Sequence, residues 1–221
     1  MSPWNTSNKR FRAHPKQVFA DGTKADGVTT ILSAVLAKPA LYRWNNIMGL
    51  KGIDTTKYVD EKARAGSYAH EMILSHLAGV EPDHAEYTQH EKDQAENSFI
   101  KYLDWEKRHK FEPILVEKGL VSEKYRYGGI LDSYGLLDGV PTVVDFKTSK
   151  AIYPEMWYQV AAYRQMVLEL GHEVQECRIL QIGRDETEGF NEQARVNTDD
   201  QFQLFLHALA IFQLMKKLKG E

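Results

Sequence analysis

A single cysteine, Cys177, in 221 residues excludes an internal disulfide framework and any cluster ligated by several cysteines of one chain. No run approaches the roughly 20 apolar residues that a membrane span needs. The first 27 residues, MSPWNTSNKRFRAHPKQVFADGTKADG, have no apolar core of the kind a secretory signal carries. These absences predict a cytoplasmic protein without a membrane partner. Strong charge of one sign is also missing. The 28 Lys and Arg against 31 Asp and Glu leave a net charge of −3, too acidic to hold nucleic acid by overall charge alone. That balance leaves room for a local basic groove, or for a metal site that uses carboxylates. No internal repeat and no low-complexity segment is present. The apolar share of 43% is enough for a real core, so the chain reads as one large domain.

Residues 1–27 are polar, with basic Lys9, Arg10, Arg12 and Lys16, and read as an arm or a short strand pair around Val18 and Phe19. Two short helices follow within VTTILSAVLAKPALYRWNNIMGL, with Thr29 or Thr30 as cap of the first and Pro39 in the first turn of the second. Apolar residues at helical spacing predict a longer helix from Thr55 to Ala78, stopped by Gly79. Another is expected from Asp83 or His84 to His109, with Phe99 and Leu103 on its apolar stripe. Then the period changes to two. PILVEKGLVS, YRYGGILDSYGLL and PTVVDFKTS read as strands, a helix spans Pro154 to Leu170, ECRILQIG and GFNEQARV read as strands, and a last helix runs to Leu218. The order predicts an α/β domain: a central mixed sheet flanked by helices, with an N-terminal helical part over 28–111 and a sheet-bearing core over 112–221.

Within this pattern Asp132, Asp145 and Lys147 interrupt strands that otherwise look like core. Asp138-Gly139 is a strong signal for a two-residue type I′ turn. With that turn, Leu137 pairs with Val140, and Pro141 falls at a position where no N–H is required. The same register puts Asp132 opposite Asp145 in a non-hydrogen-bonded pair, with Lys147 on their face. Ile130, Tyr134, Leu136 and Val143 are expected on that face too, and Leu131, Val144 and Phe146 on the opposite, core face. Two carboxylates about 5 Å apart repel by roughly 3 kcal/mol at an effective dielectric near 20. A divalent cation reverses the sign; Lys147 offsets part of it; a solvated hairpin face would need neither.

These residues resemble a known family. GGILD, followed thirteen positions on by VVDFK, is similar to the D…(D/E)-x-K core of the PD-(D/E)xK nuclease superfamily, and in particular to its RecB-like branch of phage-type exonucleases. AGSYAH resembles the branch's upstream helix motif, with Gly66 and His70; QVAAY resembles its Q-x-x-x-Y helix, with Gln159 and Tyr163; VTTILSAVLAKPALYRWN resembles the N-terminal helices of phage-type members. The resemblance spans roughly residues 28 to 170. It implies a restriction-endonuclease-like core and a metal-dependent DNA exonuclease of phage recombination or replication, acting in a bacterial host's cytoplasm. The alternatives are an endonuclease of the same fold that cuts flaps or branched DNA, and a non-catalytic DNA-binding module.

The resemblance further implies that His70, Asp132, Asp145 and the Phe146 backbone carbonyl ligate Mg²⁺ or Mn²⁺, with Glu117 as a weaker, supporting carboxylate. Lys147 would position or activate the attacking water, and Gln159 and Tyr163 would help hold the site. Thr148, Lys150, Arg64 and Lys124 are candidate phosphate contacts, each equally readable as solvated surface. The iron–sulfur cluster of some relatives is excluded by the lone cysteine. The partner implied is DNA, single- or double-stranded; a homo-oligomer or a recombination partner protein is left open.

Overall fold

The computed structural model describes residues 17–83 and 87–220. The arm's basic residues Lys9, Arg10, Arg12 and Lys16, and His84, lie outside them. Val18 bridges Lys24 in an isolated antiparallel contact, the remnant of the expected strand pair. Helices α1 (Val28–Val35) and α2 (Pro39–Leu50) follow, the second with Pro39 in its first turn. The cap of α1 is Gly27, not Thr29 or Thr30, and no side chain bonds its end. Helix α3 (Thr55–Ala78) is capped by Asp54 and ends on Gly79 in the left-handed conformation. Helix α4 (Gln89–Glu106) starts later than the expected Asp83 or His84. Thr88 and Glu91 form a capping box there, each side chain satisfying the other's backbone N–H. Its fully buried stripe is Ala95, Ser98, Tyr102 and Trp105, with Phe99 and Leu103 only partly covered.

Strands β1 (Phe111–Ser122), β2 (Tyr127–Leu137) and β3 (Val140–Lys147) form a meander; α5 (Pro154–Glu169) crosses to β4 (Glu176–Ile182), β5 (Phe190–Arg195) follows, and α6 (Asp199–Lys219) closes the chain. The five strands lie in sequence order, with β3 and β4 parallel and every other pair antiparallel. This is the α/β, mixed-sheet architecture expected. One face packs on α1, α5 and α6 through Leu131, Tyr134, Val143 and Ile179; the other packs on α3 and α4 through Leu137, Val144, Phe146 and Leu180.

The β2–β3 turn is the one the Asp-Gly pair dictates: Asp138 (φ 51°) and Gly139 (φ 85°) both occupy the left-handed region, as type I′ requires. Asp138 has a second use. Its carboxylate accepts the Lys110 N–H at 2.8 Å and faces His109 Nδ1 at 2.8 Å, tying the end of α4 to the turn.

The β4–β5 loop is held to the helical layer by buried polar groups. Arg184 donates Nε and Nη2 to the two oxygens of Glu188 at 2.9 and 2.7 Å, and Nη1 to the Lys62 carbonyl of α3 at 2.9 Å. Lys101 of α4 donates to the carbonyls of Gly183 and Asp185. Burial alone would raise the Glu188 pKa, but the Arg184 donors outweigh it and hold the carboxyl below its usual range. Glu188→Gln therefore destabilises the fold by about 3 kcal/mol at pH 7, because it leaves a buried guanidinium without its counter-charge. A carboxyl with a lowered folded pKa stabilises above its unfolded pKa, about 4.3, and loses that contribution as pH falls through the folded value. Urea unfolding should thus separate the two proteins at pH 7 and bring them together at low pH.

Candidate active site

The β2–β3 ladder keeps the predicted register from Leu137–Val140 to Ser133–Val144 and stops there, one pair short of Asp132 and Asp145. Beyond that point Phe146 N–H donates to Asp132 Oδ2 at 2.9 Å, so a side chain takes a place the backbone ladder would otherwise occupy. On the other side, Val116 pairs with Ser133 and Lys118 with Leu131, while Glu117 and Asp132 form no pair. Glu117 has a φ of 45°, rare for a residue with a side chain. Both strands kink at this point, and the alternation of side chains restarts.

That kink corrects two expectations. Leu131 does not share a face with Val144 and Phe146: it packs with Tyr134 and Val143 on the α5–α6 side. Tyr134 and Val143, in turn, are not neighbours of the cleft; they are core under α5. Asp132 opens instead toward α3, where a cleft of about 590 Å³ is lined by Gly66, Ser67, His70 and Glu71 of α3, with Glu117, Asp132, Phe146, Lys147, Thr148 and Gln159.

His70 Nε2 lies 2.8 Å from Asp132 Oδ2, so this oxygen meets both the imidazole and the Phe146 N–H. Asp145 sits below the cleft floor, only 1% exposed, with Lys147 Nζ 2.6 Å from its Oδ2. The contact is a short ion pair with hydrogen-bond character, while Asp145 Oδ1 has no hydrogen-bond partner among the described residues. Burial pushes the Asp145 carboxyl up to about 6; the Lys147 charge opposes the shift and the Asp132 carboxylate adds to it. Burial acts on Asp132 in the same sense, but the His70 and Lys147 charges and the Phe146 N–H outweigh it and hold Asp132 below its usual range. For His70 and Lys147 burial works downward, yet the neighbouring carboxylates win and both are raised.

Behind this cluster Gln159 Nε2 donates to Tyr163 Oη at 2.9 Å, one turn apart on α5. Burial raises the Tyr163 pKa, and the Asp132 and Asp145 carboxylates add to it, so the phenol stays protonated. The paired glycines before Leu131 have a packing reason. A Cβ on Gly129 would stand 2.7 Å from the Tyr163 ring, and one on Gly128 would stand 2.8 Å from Ala25 Cβ and 3.0 Å from the Leu120 carbonyl. Gly66 is similar: a Cβ there would meet Thr148 Oγ1 at 2.4 Å, so the glycine lets α3 lie against the residue after Lys147.

The fold therefore gathers His70, Asp132, Lys147, Thr148, Gln159 and Glu117 around one cleft, with Asp145 and Tyr163 beneath it. Arg64 is placed otherwise: its Nε is 2.6 Å from Glu91 Oε1, next to the α4 cap. Lys124 stands over the Tyr125 ring at the β1–β2 turn, and Lys150 lies in the exposed β3–α5 loop; none of the three lines the cleft. Ser67 and Glu71 line it without having been singled out. Glu71 is buried and accepts the Asp83 N–H at 2.9 Å. Its place directly after His70 was the available signal.

No family model matches the chain, and no curated protein matches it. Solved structures do. A candidate exonuclease from Eubacterium rectale shares 14% identity over 71% of this chain and 68% of its own, with a TM-score of 0.48. The alkaline exonuclease LHK-Exo from Laribacter hongkongensis shares 14% over 69% of this chain and 79% of its own, with a TM-score of 0.40. The same protein in complex with dAMP gives 14%, 69%, 80% and 0.39.

The donor set has the chemistry of a site for a hard divalent cation: carboxylates, a carbonyl and one imidazole. The buried Oδ1 of Asp145, without a hydrogen-bond partner among the described residues, is the observation that fits such an ion. Among the described residues, however, no group of three or more His, Cys, Asp or Glu is already spaced to hold one. Each donor is turned instead to a protein partner, Asp132 to His70 and Asp145 to Lys147.

Proposed function

We propose that this chain is a Mg²⁺- or Mn²⁺-dependent DNA exonuclease of the PD-(D/E)xK superfamily, in its RecB-like, cluster-free branch. The observation that carries the proposal is the buried Asp145–Lys147 pair beside the Asp132–His70 pair under one open cleft. A structural ion pair gains little from being buried with an oxygen left without a hydrogen bond. Perturbed, clustered carboxylates in a cleft are what a phosphoryl site uses. Asp132 and Asp145 would hold the ion, with His70, the Phe146 carbonyl and, more weakly, Glu117. When bound, such an ion acidifies water and acts as a Lewis acid toward the phosphate.

The chain's own residues do the remaining work. Lys147 orients the attacking water and offsets charge at the phosphate. Tyr163, held by Gln159, keeps the floor of the site in place. Thr148 at the cleft wall, with Lys150 in the loop that follows, supplies phosphate contacts; Arg64, held by Glu91, and Lys124, over Tyr125, stand away from the cleft. A role in phage recombination or replication, in a host's cytoplasm, belongs to the same proposal; among the described residues no helix is long and apolar enough to cross a membrane.

End-labelled single- and double-stranded DNA, incubated with EDTA, Mg²⁺ or Mn²⁺, tests it. Nucleotides should be lost from ends only with the metals, and covalently closed circles should survive. Cutting of closed circles would favour an endonuclease, and no cutting with DNA binding retained would favour a binding module. Independently of activity, saturating Mn²⁺ should raise the unfolding temperature of the unaltered protein, because a ligand bound only by the folded state stabilises it. The same addition should leave an Asp132→Asn variant unmoved; equal shifts in both would place the ion elsewhere.

A further inference from the structure

Helix α6 carries two apolar faces. Phe205, Ala208 and Leu209 are buried against α1 and α5, as a single amphipathic helix requires. A second stripe points outward: Leu204, Ile211, Leu214, Met215 and Leu218, with Ile211 half exposed and Leu218 80% exposed. At 3.6 residues per turn these five fall within an arc of about 100°, the width of a core-facing helix stripe. Leu204, Ile211 and Leu218 repeat every seven residues, the spacing of a helix-pairing seam. Isolated surface leucines need no explanation, but a continuous stripe along about 20 Å of helix does.

The charges at the two ends say what covers it. Lys216 is held within the chain by Asp26 at 3.0 Å and Asp199 by Arg164 at 3.5 Å, so the end charges left for a second copy are Asp200 in the first turn and Lys217 and Lys219 in the last. A second copy laid parallel would set lysines against lysines and aspartates against aspartates. Laid antiparallel about a two-fold axis at Ile211, Leu204 meets Leu218 of the other copy, Ile211 meets its own counterpart, and Lys219 stands within one turn of the other copy's Asp200. The helix dipoles then also oppose. An interface of this kind is isologous and closes on itself as a dimer.

We propose that this stripe on α6 is a homodimer interface, an antiparallel helix pair centred on Ile211. The proposal is independent of the nuclease reading, since its test is oligomeric state and not activity. Light scattering after size exclusion should give the mass of a dimer for the unaltered protein. Ile211→Glu, at an exposed position, should give a folded monomer with unchanged helix content, and the melting temperature of the unaltered protein alone should rise with its concentration. Under mild oxidation Ile211→Cys should yield a disulfide-linked dimer, and Leu204→Cys with Leu218→Cys in one chain should also cross-link, while Leu218→Cys alone should not. The native Cys177 does not compete, because it is buried and burial pushes its thiol up to about 12. A monomeric unaltered protein overturns the proposal, whether the stripe then proves to bind anionic vesicles or the chain's own residues 1–16. A dimer that Ile211→Cys fails to link overturns it as well.

Discussion

An Asp145→Leu/Lys147→Met protein should degrade end-labelled DNA about 10³-fold more slowly than the unaltered chain, yet be no less stable in EDTA. On the proposed reading, the loss of rate follows from removing both the carboxylate that would hold the metal and the cation that would offset charge at the phosphate, groups whose electrostatic contributions are each about 10²–10³-fold in other sites. The stability follows from burial. Asp145 is almost fully enclosed, leaves its Oδ1 without a hydrogen bond among the described residues, and has its carboxyl pushed up to about 6. An ion pair held in that way recovers little more than its desolvation cost, and hydrophobic replacements of similar size are neutral or stabilising by about 1–4 kcal/mol. The single change Lys147→Met should behave in the opposite sense. It leaves the buried Asp145 without its ion-pair partner, His70 remaining on Asp132, and should destabilise by about 3 kcal/mol. Urea unfolding of the three proteins in EDTA, with rates measured in Mn²⁺, separates the outcomes. A double variant less stable than Lys147→Met would mean that the pair is a structural strut, and the functional reading of the cleft would fail with it.

Much of this arrangement was legible before any coordinates, and the parts that were not have physical reasons. The Asp138-Gly139 turn fixed the β2–β3 register because type I′ geometry accepts few other residue pairs, and five consecutive pairings follow it. Pro39 and Gly79 marked helix ends because each has a local conformational reason to sit there. The start of α4 was misplaced because Thr88–Glu91 competes successfully with the earlier Asp83. The facing of Leu131 was misread because strict alternation was assumed through Asp132. A kink that involves an opposed residue on another strand, Glu117 at a φ of 45°, leaves no trace in the period of either strand alone. Spacing could not place His70 beside Asp132 either, since they are 62 residues apart in sequence. Only the resemblance joined them. Arg64 shows the converse: a cation near a motif is easily read as a phosphate contact, while Glu91, 27 residues on, holds it.

Gly135→Ala should destabilise the protein by about 3 kcal/mol, the upper end for a side chain forced into a packed site. Gly135 lies in the middle of β2, where glycine is a poor strand former, and its neighbours make it necessary. It pairs with Pro113 on one side and Thr142 on the other, and the β1 register slips between Pro113 and Leu115. The slip brings the β1 backbone down onto β2. A Cβ on Gly135 would stand 2.2 Å from the Glu112 carbonyl oxygen and 2.8 Å from Pro113 Cα. Both are main-chain atoms, so no rotamer change can make room, and β1 must move outward as a unit. That movement loosens the strand carrying Glu117, which faces Asp132 across the kink. Chemical denaturation should therefore report a lower midpoint for Gly135→Ala with an unchanged slope. Gly139→Ala, strained only by its positive φ in an open turn, should lose less, of the order of 1 kcal/mol. Equal losses at the two glycines would show that backbone conformation, and not the close approach of β1, sets the requirement at residue 135.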